Sequence, residues 1–286
     1  MRLPICVLEK LNNLTNCEMN MFLWLVERQN TKGMVIGVSL SDFRKTMSKQ
    51  SFYNSLRGLK AKGLISVQHC KKTHDYNIGL MFDDKYYIDN STYNREEKYI
   101  NLNNKLFKSE KFKNLSSREK YMMLILYYRT TVTINAAGSK AVHKKKVEDF
   151  YDYFTKLFGR SKRRVREYLH NLKAFFNVTI SGANYFIGRN RTTYALDKKD
   201  IKNGKSTGRK HFVIAMAKRH KLKGVTDKFV EDVANLYRNY IGTYDEYRID
   251  FRLERAIKTH ASDKNKTASA ARINQLLKKE IERFAF

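Results

Sequence analysis

A serine-capped helix carrying the string Leu-x-x-Leu-Lys-Ala occurs twice in this chain, and this internal repeat constrains the fold more than any other feature. The first copy starts at Ser48-Lys49, places Phe52, Leu56 and Leu59 at helical spacing, and ends Lys60-Ala61-Lys62-Gly63-Leu64-Ile65. The second starts at Ser161-Lys162, places Val165, Leu169 and Leu172 likewise, and ends Lys173-Ala174-Phe175-Phe176-Asn177-Val178. Gly63 suits the left-handed residue that closes a helix. The second copy lacks that glycine, so its helix must end differently.

The match extends in both directions. Leu14-Thr15-Asn16-Cys17-Glu18 and Leu115-Ser116-Ser117-Arg118-Glu119 share a capping-box pattern, in which the hydroxyl accepts a helical amide proton and the glutamate reaches back to the cap's own amide. Apolar residues at helical spacing follow both boxes. Val38-Ser39-Leu40-Ser41-Asp42-Phe43 predicts a short strand, a cap and a short helix, and the longer stretch from Val147 to Gly159 takes that place in the second copy. A β-prone segment comes after each repeated helix. In the first copy it is Ile65–Cys70, a polar tip at Lys71-Lys72-Thr73-His74-Asp75, then Tyr76–Leu80. In the second it is Val178–Ile180, Asn184–Gly188, a tip at Arg189-Asn190-Arg191, then Thr192–Leu196. Three helices and a hairpin are therefore expected twice.

The fold class that follows is mainly α with small β-hairpins. Residues 1–88 form one module and 112–197 the other, joined by an Asn/Tyr-rich linker at 89–111. A basic linker at 198–210 leads to a C-terminal helical region, 211–286, with apolar helical spacing at Phe229–Tyr240, Tyr247–Ile257 and Ile273–Phe284. A single proline and only 13 glycines agree with a helix-rich chain.

Charge narrows the partners. Lys and Arg number 57 against 28 Asp and Glu, a net +29, which favours phosphate-rich ligands through counterion release. No run approaches the ~18 apolar residues of a membrane span, and the start of the chain lacks a secretory signal's apolar stretch. Three cysteines (Cys6, Cys17 and Cys70) are too few and odd in number for a disulfide framework, which points to a cytoplasmic, nucleoid-associated protein.

With the apolar stripe turned inward, helical geometry turns Lys49, Gln50, Tyr53, Asn54 and Arg57 outward in the first copy. Asn, Gln and Arg suit base edges in the DNA major groove. The second copy's outward set is Lys162, Arg163, Arg166, Glu167 and His170, flanked by Arg164; it is more cationic and suits phosphates. Lys71, Lys72, Arg189 and Arg191 are expected at hairpin tips, where they would meet phosphates or a minor groove. His69, Cys70 and His74 lack a second pair at zinc-finger spacing, so no metal or cofactor is expected. Tyr237, Tyr240, Tyr244 and Tyr247 read mainly as helix–helix contacts, with base stacking the alternative. Catalytic signatures such as a Walker A loop or His-Glu-x-x-His are missing, which argues against an enzyme.

The run from Met47-Ser48-Lys49-Gln50 to Lys62-Gly63-Leu64-Ile65 resembles the recognition helix and first wing strand of winged-helix DNA-binding proteins. On that resemblance 1–88 and 112–197 are tandem winged-helix domains. A basic chain with two of them is similar in architecture to plasmid and phage replication initiators. The resemblance implies a sequence-specific double-stranded-DNA-binding protein, a transcriptional regulator or a replication initiator of a bacterial mobile element. The alternatives are a protein that binds RNA or single strands, or one that coats DNA without sequence preference. The C-terminal helices suit either a homodimer interface or further DNA contact, and no small-molecule ligand is evident.

Overall fold

The computed structural model describes residues 2–81, 99–101, 106, 109–132, 142–190, 198–241, 244–263 and 267–283. The fold is mainly helical, with small antiparallel sheets. It divides into two compact units, and neither is continuous in sequence: one holds residues 1–23 and 82–201, the other 24–81 and 202–286. The internal repeat predicts consecutive modules instead.

In the first unit, strand β1 (Arg2–Pro4) pairs antiparallel with β5 (Tyr99–Asn101), so a strand lies inside the stretch expected as the 89–111 linker. Helix α1 (Asn16–Arg28) begins in this unit and continues into the other. Short helix α3 (Glu110–Lys113) leads to α4 (Ser117–Val132), whose Tyr121 to Tyr127 are all buried. Both capping boxes form. Thr15 N–H donates to Glu18 Oε2 at 2.7 Å while Glu18 N–H donates to Thr15 Oγ1 at 3.3 Å. Ser116 and Glu119 repeat the exchange at 2.7 and 3.4 Å. The two boxes also meet: Asn16 Oδ1 accepts the N–H of Ser117 at 2.6 Å, and these residues hold the same position in the repeat. Lys120, buried beside them, donates to Asn20 Oδ1 at 2.8 Å and to the Lys113 carbonyl at 3.0 Å. Burial lowers its ammonium to about 8, and Glu119 opposes that shift.

The rest of this unit is strand β6 (Val142–Lys146), helices α5 (Val147–Phe158) and α6 (Lys162–Asn171), and strands β7 (Phe176–Ser181) and β8 (Asn184–Arg189). The sheet order is β6-β8-β7. An aromatic core of Phe150, Phe154 and Phe158 backs the helices, with Phe154 and Phe158 stacked at 5.6 Å. Ser161 caps α6 by accepting the Arg164 N–H at 3.4 Å. Without a closing glycine, α6 runs into a 3₁₀ turn at Leu172–Ala174, and Asn190 secures the exit by donating to the Ala174 carbonyl at 2.6 Å.

In the second unit, β2 (Met34–Val38) is followed by a 3₁₀ turn at Leu40–Asp42, capped by Ser39 with Asp42 in a capping box. Helix α2 (Lys49–Ala61) and strands β3 (Ile65–Cys70) and β4 (Asp75–Leu80) complete the motif, and the sheet order is β2-β4-β3. Strand, helical connection, helix and hairpin, with the first strand paired to the last, is thus the topology of both small sheets. Gly63 closes α2 at φ +64°, as expected of a glycine there.

Among the described residues, this unit ends with α7 (Lys198–Arg219), which enters it at residue 202, α8 (Asp227–Leu236), α9 (Glu246–Ser262) and α10 (Ala270–Glu282). Residues 198–210, expected as a basic linker, are therefore helical. Gly208 explains why their composition misleads. A Cβ there would sit 3.0 Å from the Arg28 carbonyl oxygen and 3.2 Å from that of Gln29, so the glycine lets α7 cross the end of α1 at close range. Gly37 does the same on the sheet, where a Cβ would lie 2.5 Å from that of Ala215. The C-terminal core, from Phe212 through Tyr237 and Leu253 to Leu277, packs against Ile36 of β2. The C-terminal helices therefore complete the unit of the first motif.

Candidate nucleic-acid interface

Helix α2 turns Phe52, Ser55, Leu56 and Leu59 inward and leaves Lys49, Gln50, Asn54 and Arg57 exposed, as the spacing predicts. Tyr53 is half-buried, edge-on to Phe52 at 5.3 Å and close enough to Tyr76 of β4 to raise that phenol, second to burial. The exposed polar groups form a network rather than a loose fringe. Gln50 Nε2 donates to Asn54 Oδ1 at 2.9 Å, and Arg57 Nη2 donates to the same oxygen at 2.8 Å. Lys71 and Lys72 are exposed at the β3–β4 turn, where His74 takes φ +54°. Arg44 and Lys45 add two more exposed cations just before the α2 cap. They precede the helix and so fall outside its outward-face pattern. Their only signal in the sequence is a basic pair within a few residues of Ser48.

On α6, Lys162, Arg163, Arg164, Arg166 and His170 are all exposed. The face carries its own counter-charge. Glu167 pairs with Arg164 at 2.6 Å and with Arg163 at 3.5 Å, and Lys162 lies 3.7 Å from Asp152. Arg166 Nε reaches Tyr151 Oη at 3.5 Å, and that hydroxyl lies 2.8 Å from the hydroxyl of Tyr185. Strand β6 adds exposed Lys144 and Lys146, which its lysine-rich composition hid from a search for strands.

Arg189 is not at a hairpin tip. The β7–β8 hairpin reverses at Gly182, φ +55°, and Arg189 lies at the far end of β8. There its guanidinium stacks 3.8 Å from the Tyr127 ring centre, donating to Thr130 Oγ1 at 2.9 Å and to the Tyr127 carbonyl at 3.0 Å. The signal for the true reversal is Gly182 between Ser181 and Asn184, which the charged Arg-Asn-Arg stretch masks. Arg191 lies outside the described residues. The tip that does form exposes Ile180 at 63%.

Of the four tyrosines with base stacking as an alternative role, Tyr237 is fully buried, while Tyr240 and Tyr244 are partly buried against the C-terminal core. Tyr247 is exposed, as is Phe251 one turn later, although apolar spacing predicts both on an inward stripe. Ile249, Leu253, Ala256 and Ile257 take the inward face instead. Lys32 Nζ sits 3.6 Å from the Tyr247 ring centre.

Behind the site, Tyr237 donates to Asp250 Oδ1 in the buried interior, and Asn30 Nδ2 donates to Oδ2 at 3.4 Å. Burial raises the Asp250 carboxyl to about 7 despite these two donors. Arg209 pairs with Glu246 at 2.6 Å nearby.

Among the described residues, no group of three His, Cys, Asp or Glu side chains is placed to hold a metal ion, and no helix is long and apolar enough to cross a membrane. No family model, curated protein or solved structure matches the chain.

Proposed function

We propose that the chain is a sequence-specific double-stranded-DNA-binding protein that uses two winged-helix modules, one built around α2 and one around α6. The observation that carries this reading is the outward face of α2, where Lys49, Gln50, Asn54 and Arg57 are exposed and the last three are joined by hydrogen bonds. A base-reading helix must offer polar groups in fixed geometry, and each good bidentate base contact contributes about 1–3 kcal/mol of discrimination. The strand order shared by the two sheets and the net +29 support the same reading. The two modules divide the work. The α2 face offers uncharged amides beside cations and reads bases; the α6 face, nearly all guanidinium and ammonium, holds phosphates. A role as transcriptional regulator or replication initiator of a mobile element is the cellular setting that fits a compact, basic, two-module reader.

The test is selection of binding sites from random duplexes, combined with salt-titrated affinity for duplex DNA, single-stranded DNA and RNA. A selected duplex motif, with duplex preferred at moderate salt, is the expected result. Affinity that falls equally for all sequences as salt rises, with no motif selected, would overturn it. A second reading has its own observation: the exposed rings of Tyr247, beside Lys32, and of Phe251, beside Arg255, are ones on which unpaired bases could stack. Under that reading single strands win the titration.

A further inference from the structure

The hydrogen bonds on α2 have a fixed polarity, and that polarity restricts which base the helix can read. A guanidinium only donates, so the Asn54 atom 2.8 Å from Arg57 Nη2 is the carbonyl oxygen Oδ1. The group that reaches the same oxygen from Gln50 is then its amide nitrogen, at 2.9 Å. A carbonyl oxygen has two lone pairs, and here both are taken. Asn54 is left with its Nδ2 hydrogens to offer outward, next to the remaining N–H groups of Arg57.

Asparagine reads adenine by accepting from N6 while donating to N7. In this network the accepting half of that pair is already occupied. Guanine shows two acceptors in the major groove, N7 and O6, and so matches the Asn54–Arg57 pair, which offers only donors. We propose that Asn54 and Arg57 act together as a guanine-selecting pair, and that the occupation of Asn54 Oδ1 by both Arg57 and Gln50 is what excludes adenine. The proposal rests on the duplex-reading function above and names the base class that this site takes.

The experiment is site selection from random duplexes with the full chain and with Arg57→Ala, Asn54→Ala and Gln50→Ala. All three side chains are exposed, so the variants should melt with the wild type, and circular dichroism checks that they do. In the wild-type motif we expect one position at which guanine is preferred over adenine by roughly tenfold or more. Arg57→Ala releases a lone pair on Asn54, and the preference at that position should collapse or turn to adenine. Asn54→Ala should weaken the guanine preference without creating one for adenine; Gln50→Ala also frees a lone pair on Asn54 Oδ1 but leaves Arg57 in place, so guanine should stay preferred while its margin over adenine narrows. Adenine preferred by the wild type at the position that Arg57→Ala alters, or a guanine preference untouched by Arg57→Ala, would overturn the inference while leaving duplex reading intact. No selected motif at all would overturn both.

Discussion

Arg219 of α7 grips the buried carboxylate of Asp75 at the start of β4, with Nη2 2.9 Å from Oδ1 and Nε 3.3 Å from Oδ2. Its Nη2 also donates to Asn77 Oδ1 at 3.1 Å, and Glu254 of α9 lies 3.7 Å from Nη1. One guanidinium thus joins the hairpin that carries Lys71 and Lys72 to the C-terminal helices. Removing one partner strands a charge in a mostly buried place. Arg219→Met should therefore destabilise the chain by roughly 3 kcal/mol in denaturant unfolding, and Asp75→Asn in the same background should cost much less than it does alone.

Asp250 makes stability fall as pH rises. Its folded value of about 7 exceeds the unfolded value of about 4, so the folded state binds the extra proton between them. The contribution is full below about pH 4 and is lost as pH rises through about 7. His211 has the opposite sign: burial holds its imidazole down at about 4, so its contribution is lost as pH falls from about 6.5 towards 4. Asp250→Asn should remove the first slope and unmask the second, giving melting temperatures that decline on acidification over that window.

Gly37 sits at φ +73° with the Ala215 methyl in the place its own Cβ would take. Gly37→Ala should cost about 2 kcal/mol or more, from backbone strain and overpacking together. Ala215→Gly should restore only part of it, since it relieves the collision and not the strain. Thermal melts of the two single variants and the double variant check this.

On α6, Glu167 pairs with Arg163 and Arg164, and under the proposed function it would compete with phosphate for them. Glu167→Gln should raise affinity for any duplex a few-fold, the scale of a released surface ion pair. Arg163→Ala with Arg166→Ala should lower affinity for all sequences alike and flatten the salt dependence by about one unit for each phosphate no longer neutralised. Fluorescence anisotropy across a salt series separates the two outcomes.

Arg189 is tied into the fold by Tyr127 and Thr130. Arg189→Ala should lose roughly 2 kcal/mol of stability, because the Thr130 and Tyr127 acceptors lose a charged donor. Lys71→Ala with Lys72→Ala should leave the melting temperature unchanged and weaken DNA binding. A reversal of these two patterns would return Arg189 to the binding surface.

Local signals with a short physical reach were legible in the sequence. The capping boxes at Thr15 and Ser116, the caps at Ser48 and Ser161, Gly63, and the outward residues of α2 and α6 follow from helical geometry and neighbouring residues alone. Features set by distant partners were not. Gly208 looks like linker composition until the Arg28 and Gln29 carbonyls are beside it. Strand β6 reads as a lysine run until β8 gives it a ladder, and Arg189 reads as a tip until Thr130 claims it. The division into units is of the same kind, because nothing near Gly37 announces Ala215.

That division has a consequence for the order of events during synthesis. Residues 24–81 leave the ribosome well before Ala215 and Arg219 exist to pack on them. Helix α2 is translated early, yet the unit that supports it closes only when α7 to α10 have emerged. A chain that stalls in between would carry α2 without the helices that pack behind its motif.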